Sequence, residues 1–405
     1  MKNTGFYPTD ILIPAQGDLT KWSVVACDQY TSQPEYWQRV RAYVGNAPST
    51  LKLMQPEAEL QATDATAINR TMQSYLDSGI FTTLKDSLLY VQRTTFDGKV
   101  REGLIGALDL ECYDYNKGAT TLCRATEGTV VDRLPPRIKI REGAPLEMPH
   151  IMVLIDDPQF TVIEALNAKK EEFAAAYDFD LMEQGGHLKG FALTQGQAQP
   201  VLEKLSALAG EQETPLLFAV GDGNHSLATA KACYENLKKE LGQAAENHPA
   251  RYCLVELVNV HSPALEFEPI HRVVFRAAGL LDYLKKAGLE EGNAHRQQIE
   301  VVQNGVHTVW SFAVETAELA VGTLQNALDQ YLTECNAEID YIHGEDVVDT
   351  LTKQEGSLGF ILPNMEKQEL FPTVSVDGAL PRKTFSMGHA HDKRFYFECR
   401  RITLK

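Results

Sequence analysis

Pro215-Leu216-Leu217-Phe218-Ala219-Val220 runs straight into Gly221-Asp222-Gly223-Asn224-His225-Ser226. The apolar run has the length and continuity of a buried strand. Beyond the glycines, Leu227, Ala230, Tyr234, Leu237 and Leu241 recur at helical spacing, so one face of a helix packs inward. Two glycines at the junction let the backbone turn sharply and approach a ligand closely. The first amides of the helix have no intrahelical partner, and the dipole there favours an anion. Asp222 and His225 place a pair suited to acid/base or metal-binding work at the same point. The plainer reading is a capped turn in which Asn224 or Ser226 only caps the helix. The spacing matches neither the dinucleotide fingerprint nor the Walker phosphate loop.

The chain has 405 residues, a length that predicts roughly two to three domains or one large body with an appended subdomain. With 44% apolar and 23% charged residues it carries ample core material for a globular protein. A net charge of −17 excludes a general nucleic-acid binder, which needs a basic face for phosphates. A small anionic metabolite remains compatible, because one local basic pocket is enough. The seven cysteines (27, 112, 123, 233, 253, 335 and 399) are scattered and never paired as CxxC, as expected of free thiols in a reducing cytoplasm. Met1-Lys2-Asn3-Thr4-Gly5 lacks the apolar core of a signal peptide, and no run of ~18 uncharged apolar residues occurs. The expectation is a soluble cytoplasmic protein with neither a membrane nor a nucleic-acid partner. Whether it forms a homo-oligomer stays open.

No repeat or low-complexity linker divides the chain. The pattern predicts helices over 64–86, 163–177, 196–209, 280–286 and 317–334. Strands are expected over 87–95 and 99–110, joined at Asp97-Gly98, and over 299–303 and 306–314, joined at Asn304-Gly305. Further strands fall at 252–260, 265–275, 357–362 and 394–402. Hairpins mixed with crossover helices predict an α+β fold with mixed sheets. The division expected is a core domain over 1–278 and a C-terminal α+β subdomain over 279–405.

Other stretches concentrate chemistry. Between residues 124 and 150, Arg124, Arg133, Arg137, Lys139 and Arg141 oppose Glu127, Asp132, Glu142 and Glu147. Guanidinium groups suit carboxylate and phosphate recognition, although surface ion pairs would look the same. In Glu268-Pro269-Ile270-His271-Arg272 the last two side chains must point to opposite faces of a strand. The segment from Pro381 through Arg382, Lys383, Thr384, His389 and His391 to Arg394 gathers basic groups around Asp392. In a strand, His389 and His391 share one face, as metal ligands would, but spacing supplies no third ligand. Trp22 to Tyr30 puts Asp28 at the end of an apolar strand, where its plain role is turn capping.

Several blocks, taken in order, resemble the prokaryotic family known as domain of unknown function 1015. They are Tyr90-Val91-Gln92-Arg93 with Gly103-Leu104-Ile105-Gly106, Arg124-Ala125-Thr126-Glu127, Asp222-Gly223-Asn224-His225, Leu257-Val258-Asn259, Pro269-Ile270-His271-Arg272 and Pro381-Arg382-Lys383-Thr384. They span about Trp22 to Ile402. The glycine-His core is also similar to that of the ParB/sulfiredoxin-like superfamily, which includes free serine kinases. That resemblance implies a turn and helix start that clamp nucleotide phosphates, with ATP or ADP and Mg²⁺ as cofactors. Zinc is not expected. The chain departs from the family pattern, Asp-Gly-His-His-Arg, at Asn224 and Ser226. Serine in place of arginine exchanges a full charge for a dipole.

The resulting expectation is a serine-kinase-like phosphotransferase for a small metabolite, or a phosphatase-type relative. Asp28 or Asp222 would orient or deprotonate the acceptor, and His225 would act as phosphate ligand or general acid. Phosphate or substrate would be held by Gly221, Gly223, Asn224, Ser226, Arg124, Glu127, Arg137, His271, Arg272, Arg382, Lys383 and Thr384. The alternatives are a non-catalytic nucleotide or metabolite sensor and a metal-dependent hydrolase built on His389 and His391.

Overall fold

The strand Phe81–Thr94 explains the architecture of the larger part of the chain. Leu88 and Tyr90 enter one apolar cluster, and Leu89 and Val91 enter another. Successive side chains of a strand point to opposite faces, so this sheet is buried on both sides. Tyr252–Asn259 repeats the division, with Cys253, Val255 and Leu257 on one side and Leu254 on the other. Two-sided burial is why Leu88–Val91 and Cys253–Val255 are continuous apolar stretches within these strands.

The computed structural model describes residues 3–404 apart from 32, 58, 60–63, 130–133 and 211–214, so Asp132 and Arg133 of the charged segment lie outside the described residues. The chain forms two compact units. The first comprises Met1–Ala125, Thr129–Leu265 and Gly388–Lys405, and the second Thr126–Gly128 and Glu266–Met387. The sequence reading put the division at residue 278. It falls earlier because His271–Phe275 pairs with Glu338–Ile342 and Leu358–Ile361. Residues 388–405 return to the first unit, where Leu12 and Cys399 exchange backbone hydrogen bonds.

In the first unit the main sheet runs Tyr113–Asp114, Cys123–Ala125, Phe218–Asp222, Met152–Ile155, Tyr252–Asn259, Val100–Asp109, Phe81–Thr94, His187–Leu193, Ala174–Asp180. Phe6–Tyr7 and Thr9–Pro14 pair beside it. Phe218–Asp222 is parallel to Cys123–Ala125 and antiparallel to Met152–Ile155, so the sheet is mixed. Helices Gln195–Leu208 and Asn224–Leu241 cover one face through Ala198, Val201, Leu205, Leu227, Ala230 and Tyr234. Pro34–Val44 and Ala65–Asp77 cover the other through Trp37, Val40, Ile68 and Met72.

The second unit carries an antiparallel sheet ordered Leu289–Glu291, Val306–Phe312, Gln298–Gln303, Leu358–Ile361, His271–Phe275, Glu338–Ile342. Leu280, Leu284, Leu324 and Leu328, from helices Leu280–Lys286 and Ala320–Glu334, fill one side of it. Together the units make the α+β fold with mixed and antiparallel sheets that the hairpin pattern predicts.

Local expectations held where a turn signal was explicit. Gly98 has φ +85°, and Asn304 and Gly305 have φ +54° and +74°, the left-handed pair that closes a two-residue hairpin. Three segments differ. The helix expected over 64–86 stops at Asp77, and left-handed Gly79 precedes the strand from Phe81. The helix expected over 163–177 is a 3₁₀ turn, Glu164–Glu172, followed by the strand Ala174–Asp180, in which Tyr177 and Phe179 point inward and Asp178 outward. The strand expected over 394–402 is an extended segment in which only Arg400–Arg401 forms a ladder, against Leu146–Glu147.

Truncation tests the two-sided burial. Leu88→Ala and Leu89→Ala are each expected to lower unfolding stability by about 2–5 kcal/mol, read from urea denaturation. A sheet with one wet face would show that loss at only one of the two.

Candidate functional site

The junction that opens the sequence is a strand–turn–helix, Phe218–Asp222, Gly223, Asn224–Leu241. Gly223 has φ +81°, and a Cβ there would sit 2.2 Å from the carbonyl oxygen of His150. No side chain fits both that conformation and that approach. The neighbouring strand Met152–Ile155 holds its partner close because Asp222 pairs with Met152 across an irregular register. Backbone proximity thus brings His150 to Asp222.

Asp222 is 25% exposed and carries a cluster of donors. His150 Nε2 lies 3.3 Å and Lys393 Nζ 3.4 Å from Asp222 Oδ2, while the Gly223 amide donates to Oδ1 at 2.8 Å. Burial alone would raise the carboxyl pKa. The His150 hydrogen bond, the Lys393 charge and the Gly223 amide outweigh it and hold Asp222 well below the usual carboxylate range. His150 is 6% exposed, and its ring packs edge-on to Tyr396, with 6.0 Å between centroids. The result is an ionised carboxylate at a helix start with a cation and an imidazole on it, a group able to orient a hydroxyl donor.

A cavity of about 150 Å³ lies in the same unit. Ser226 and Thr229 of the helix line it together with Cys27, Glu57, Arg137 and Phe395, and much of the remaining wall is apolar. Arg137, on Leu134–Arg141, forms an ion pair with Glu57. Arg141 and Arg400 both hold Glu147, whose burial raises its pKa less than the two guanidiniums lower it. Burial first, and then Asp28, push the Cys27 thiol up to about 12, so it is no thiolate nucleophile near neutral pH. All seven cysteines are free.

The other expected residues are distributed differently. Gly221 is the last strand residue but one, and Asn224 and His225 occupy the first helical turn, half-buried; Asn224 Nδ2 donates to Val220 O at 3.4 Å. Asp28 is exposed, its carboxylate bonded to Gln29 Nε2 at 2.9 Å. Arg124 is buried beside Ala219 of the site strand and donates to Thr121 O at 2.9 Å; burial lowers its pKa. His389 caps a 3₁₀ turn, Ala390–Asp392, and His391 lies within it, instead of the two sharing a strand face, although their rings stack at 5.3 Å. Among the described residues no group of three or more His, Cys, Asp or Glu forms a metal site. His150 and Lys393 were missed as partners of Asp222. His150 stands immediately before an apolar strand, and only Lys393 carried a signal, as part of the basic run near the C-terminus.

Glu127, His271, Arg272, Arg382, Lys383 and Thr384 belong to the second unit. There His271 Nδ1 accepts from the Leu362 amide at 3.1 Å. Burial and the Arg272 charge lower its pKa to about 4, which keeps the ring neutral. Arg272 is fully buried and works as a brace. Its guanidinium donates to Lys383 O at 2.9 Å, Arg382 O at 3.2 Å, Ile270 O and Gln325 Oε1. Tyr341 stacks on both Arg272 and Arg382. Thr384 Oγ1 caps Pro381 O at 2.7 Å, Lys383 is exposed, and Glu127 bridges to Leu380. Arg272 thereby spends its fork on the carbonyl oxygens of Ile270, Arg382, Lys383 and Gln325.

Two measurements check these assignments. Asp222 has a depressed folded-state pKa, so its stabilising contribution is present above about pH 4 and is lost as pH falls further. Asp222→Asn is expected to flatten acid unfolding below pH 4 while changing stability little in shape above it. Arg272→Lys cannot reproduce the fork and strands buried carbonyls, so it is expected to lower stability by about 3 kcal/mol in urea denaturation.

No helix of the described residues is long and apolar enough to cross a membrane. No curated protein matches the sequence. Among solved structures, a mutant free serine kinase in complex with AMP is similar at 14% identity and TM-score 0.41, over 75% of this chain and 92% of that one. A mutant free serine kinase in complex with ADP is similar at 12% identity and TM-score 0.41, over 77% and 95%. SbnI with a C-terminal truncation, from Staphylococcus aureus, is similar at 11% identity and TM-score 0.38, over 70% and 82%. Function must therefore be argued from this chain's own site. Residues 8–339 match the model of a protein family of unknown function, and the chain belongs to that family, DUF1015.

Proposed function

We propose that the chain is a small-molecule phosphotransferase, or a closely related enzyme acting on a phosphorylated metabolite, with Asp222 at its centre. The observation that carries this reading is the ionised Asp222 at a helix start, with Lys393 at 3.4 Å and His150 at 3.3 Å. Phosphoryl transfer asks chiefly for positioning and charge neutralisation, which a helix N-terminus, a lysine and an oriented carboxylate supply. Asp222 orients or deprotonates the acceptor hydroxyl, and Lys393 neutralises phosphate charge. His225, in the first turn, is the proposed phosphate ligand. The largely apolar cavity beside Ser226, with the Arg137–Glu57 pair in its wall, takes the organic part of a ligand. Magnesium, when bound, would be held by Asp222 and by phosphate oxygens of the ligand, and would neutralise charge between them. With water as acceptor the same arrangement hydrolyses a phosphate monoester.

A non-catalytic nucleotide or metabolite sensor is the second reading. It is favoured by the pairing of Arg137 with Glu57 and of Lys393 with Asp222, which leaves both cations partly neutralised.

A thermal-shift screen with AMP, ADP, ATP, pyrophosphate, serine and phosphoserine, each with and without Mg²⁺, separates them. A ligand that binds only the folded chain raises its melting temperature. The expected outcome is a Mg²⁺-dependent shift that Lys393→Met abolishes and that loses its Mg²⁺ dependence in Asp222→Asn, with turnover in Asp222→Asn reduced about 10²–10⁴-fold. Binding without turnover in the wild type would select the sensor, and no shift with any phosphate compound would reject both.

A further inference from the structure

Beneath the main sheet of the first unit lies a second cavity, of about 30 Å³, whose buried wall mixes apolar side chains such as Val91, Ile105 and Phe397 with polar and charged ones. Ser23, Arg93, Arg101, His150, Glu256, Arg394 and Glu398 all face it, and each is at least nine-tenths buried. Arg101 is matched by Glu256 at 3.0 Å. Arg394 instead donates to the carbonyls of His391, Glu183 and Ser23 at 2.9, 2.9 and 3.2 Å. Arg93 likewise holds Asp392 O at 2.6 Å and Gly185 O at 3.2 Å, with the Asp392 carboxylate 3.7 Å away. Glu398 accepts from the Tyr177 hydroxyl, and burial pushes its carboxyl up to about 7. Within 4 Å the three guanidiniums therefore share two carboxylates, those of Glu256 and Asp392. A buried cation without its counter-charge is strongly destabilising.

The polar atoms left over point the same way. Arg93 Nε, Arg101 Nε, Ser23 Oγ and His150 Nδ1 are buried, and none has a hydrogen-bond partner among the described residues. All four belong to residues that line this one cavity. Buried donors are nearly always satisfied, so the three orphaned donors Arg93 Nε, Arg101 Nε and Ser23 Oγ signal an occupant. The room is that of about two water-sized spheres, too small for phosphate.

We infer that this cavity is a binding site for a single small inorganic anion of halide size, held by Arg93 Nε–H, Arg101 Nε–H and Ser23 Oγ–H. The site supplies the missing negative charge beside Arg93 and Arg394 and fastens the C-terminal segment, which contributes Arg394 and Glu398, to the sheet. It does not depend on the proposed function.

Bromide is the probe. Crystals of the full chain grown in sodium bromide are expected to show anomalous scattering inside this cavity. In solution, bromide is expected to raise the melting temperature by about 2–4 °C over sodium gluconate of equal ionic strength, and the gain should saturate. Ser23→Ala removes one donor without removing a charge, and is expected to weaken the half-saturation concentration about tenfold. Arg101→Lys, which keeps the charge but loses the fork, should weaken it as well. Water alone in the cavity, with equal melting temperatures in the two salts, would overturn the inference. A gain that rises without saturation and is unchanged in both variants would also overturn it, as a general salt effect.

Discussion

The approach of the Gly223 backbone to the His150 carbonyl is the constraint on which the candidate site depends. A strand that must end against its antiparallel neighbour can turn into a helix there only through a left-handed residue without a side chain. That single conformation sets the direction of the helix Asn224–Leu241, leaves Asp222 at its start, and brings His150, two residues before the strand Met152–Ile155, onto Asp222. His150 owes its position to backbone packing. The carboxylate, the imidazole and the helix start are therefore one rigid group and not three independent placements.

A second theme is how this acidic chain uses arginine inside. Arg272, Arg93 and Arg394 are buried, and each spends its fork mainly on backbone carbonyls of loops. A planar donor set can tie several carbonyls of an irregular segment that no strand or helix would satisfy. In the second unit this keeps the turn at Pro381–Thr384 in place, with Lys383 at φ +58°. In the first unit it holds the residues around His391 and Glu183. Burial depresses the pKa of each of these guanidiniums, the signature of charge kept in the interior for geometry.

The same distinction explains what could be read from the sequence. Elements governed by neighbours in the chain were legible: the apolar strand before Gly221, the helix after it, and the hairpins at Asp97-Gly98 and Asn304-Gly305. Elements governed by distant partners were not. Residues 163–177 carry helix-forming alanines and glutamates, yet the second half joins a sheet edge through His187–Leu193. Arg272 has the residue type of a phosphate ligand, and only its burial reveals a brace. Asp222 was legible as a candidate because local backbone chemistry marks it. His150 and Lys393 were not, since 72 residues separate His150 from Asp222 and no spacing rule connects them.

Lys393 carries this point into the chemistry. It reaches Asp222 only because the C-terminal segment is threaded back onto the first unit, with Phe395 N bonded to Val24 O, Ala26 N to Lys393 O, and Tyr396 holding Ile151. Those bonds lie outside any long ladder, so their hold depends on side chains such as Arg394 and on the buried ring of Phe397. Release of the segment would take the lysine from Asp222. The carboxylate would then lose a cation that lowers its pKa while staying partly buried, and its affinity for a proton would rise. The acid/base character of the strand–helix junction is therefore coupled to the docking of a segment that lies far from it in sequence. An intact junction motif does not by itself make an intact site.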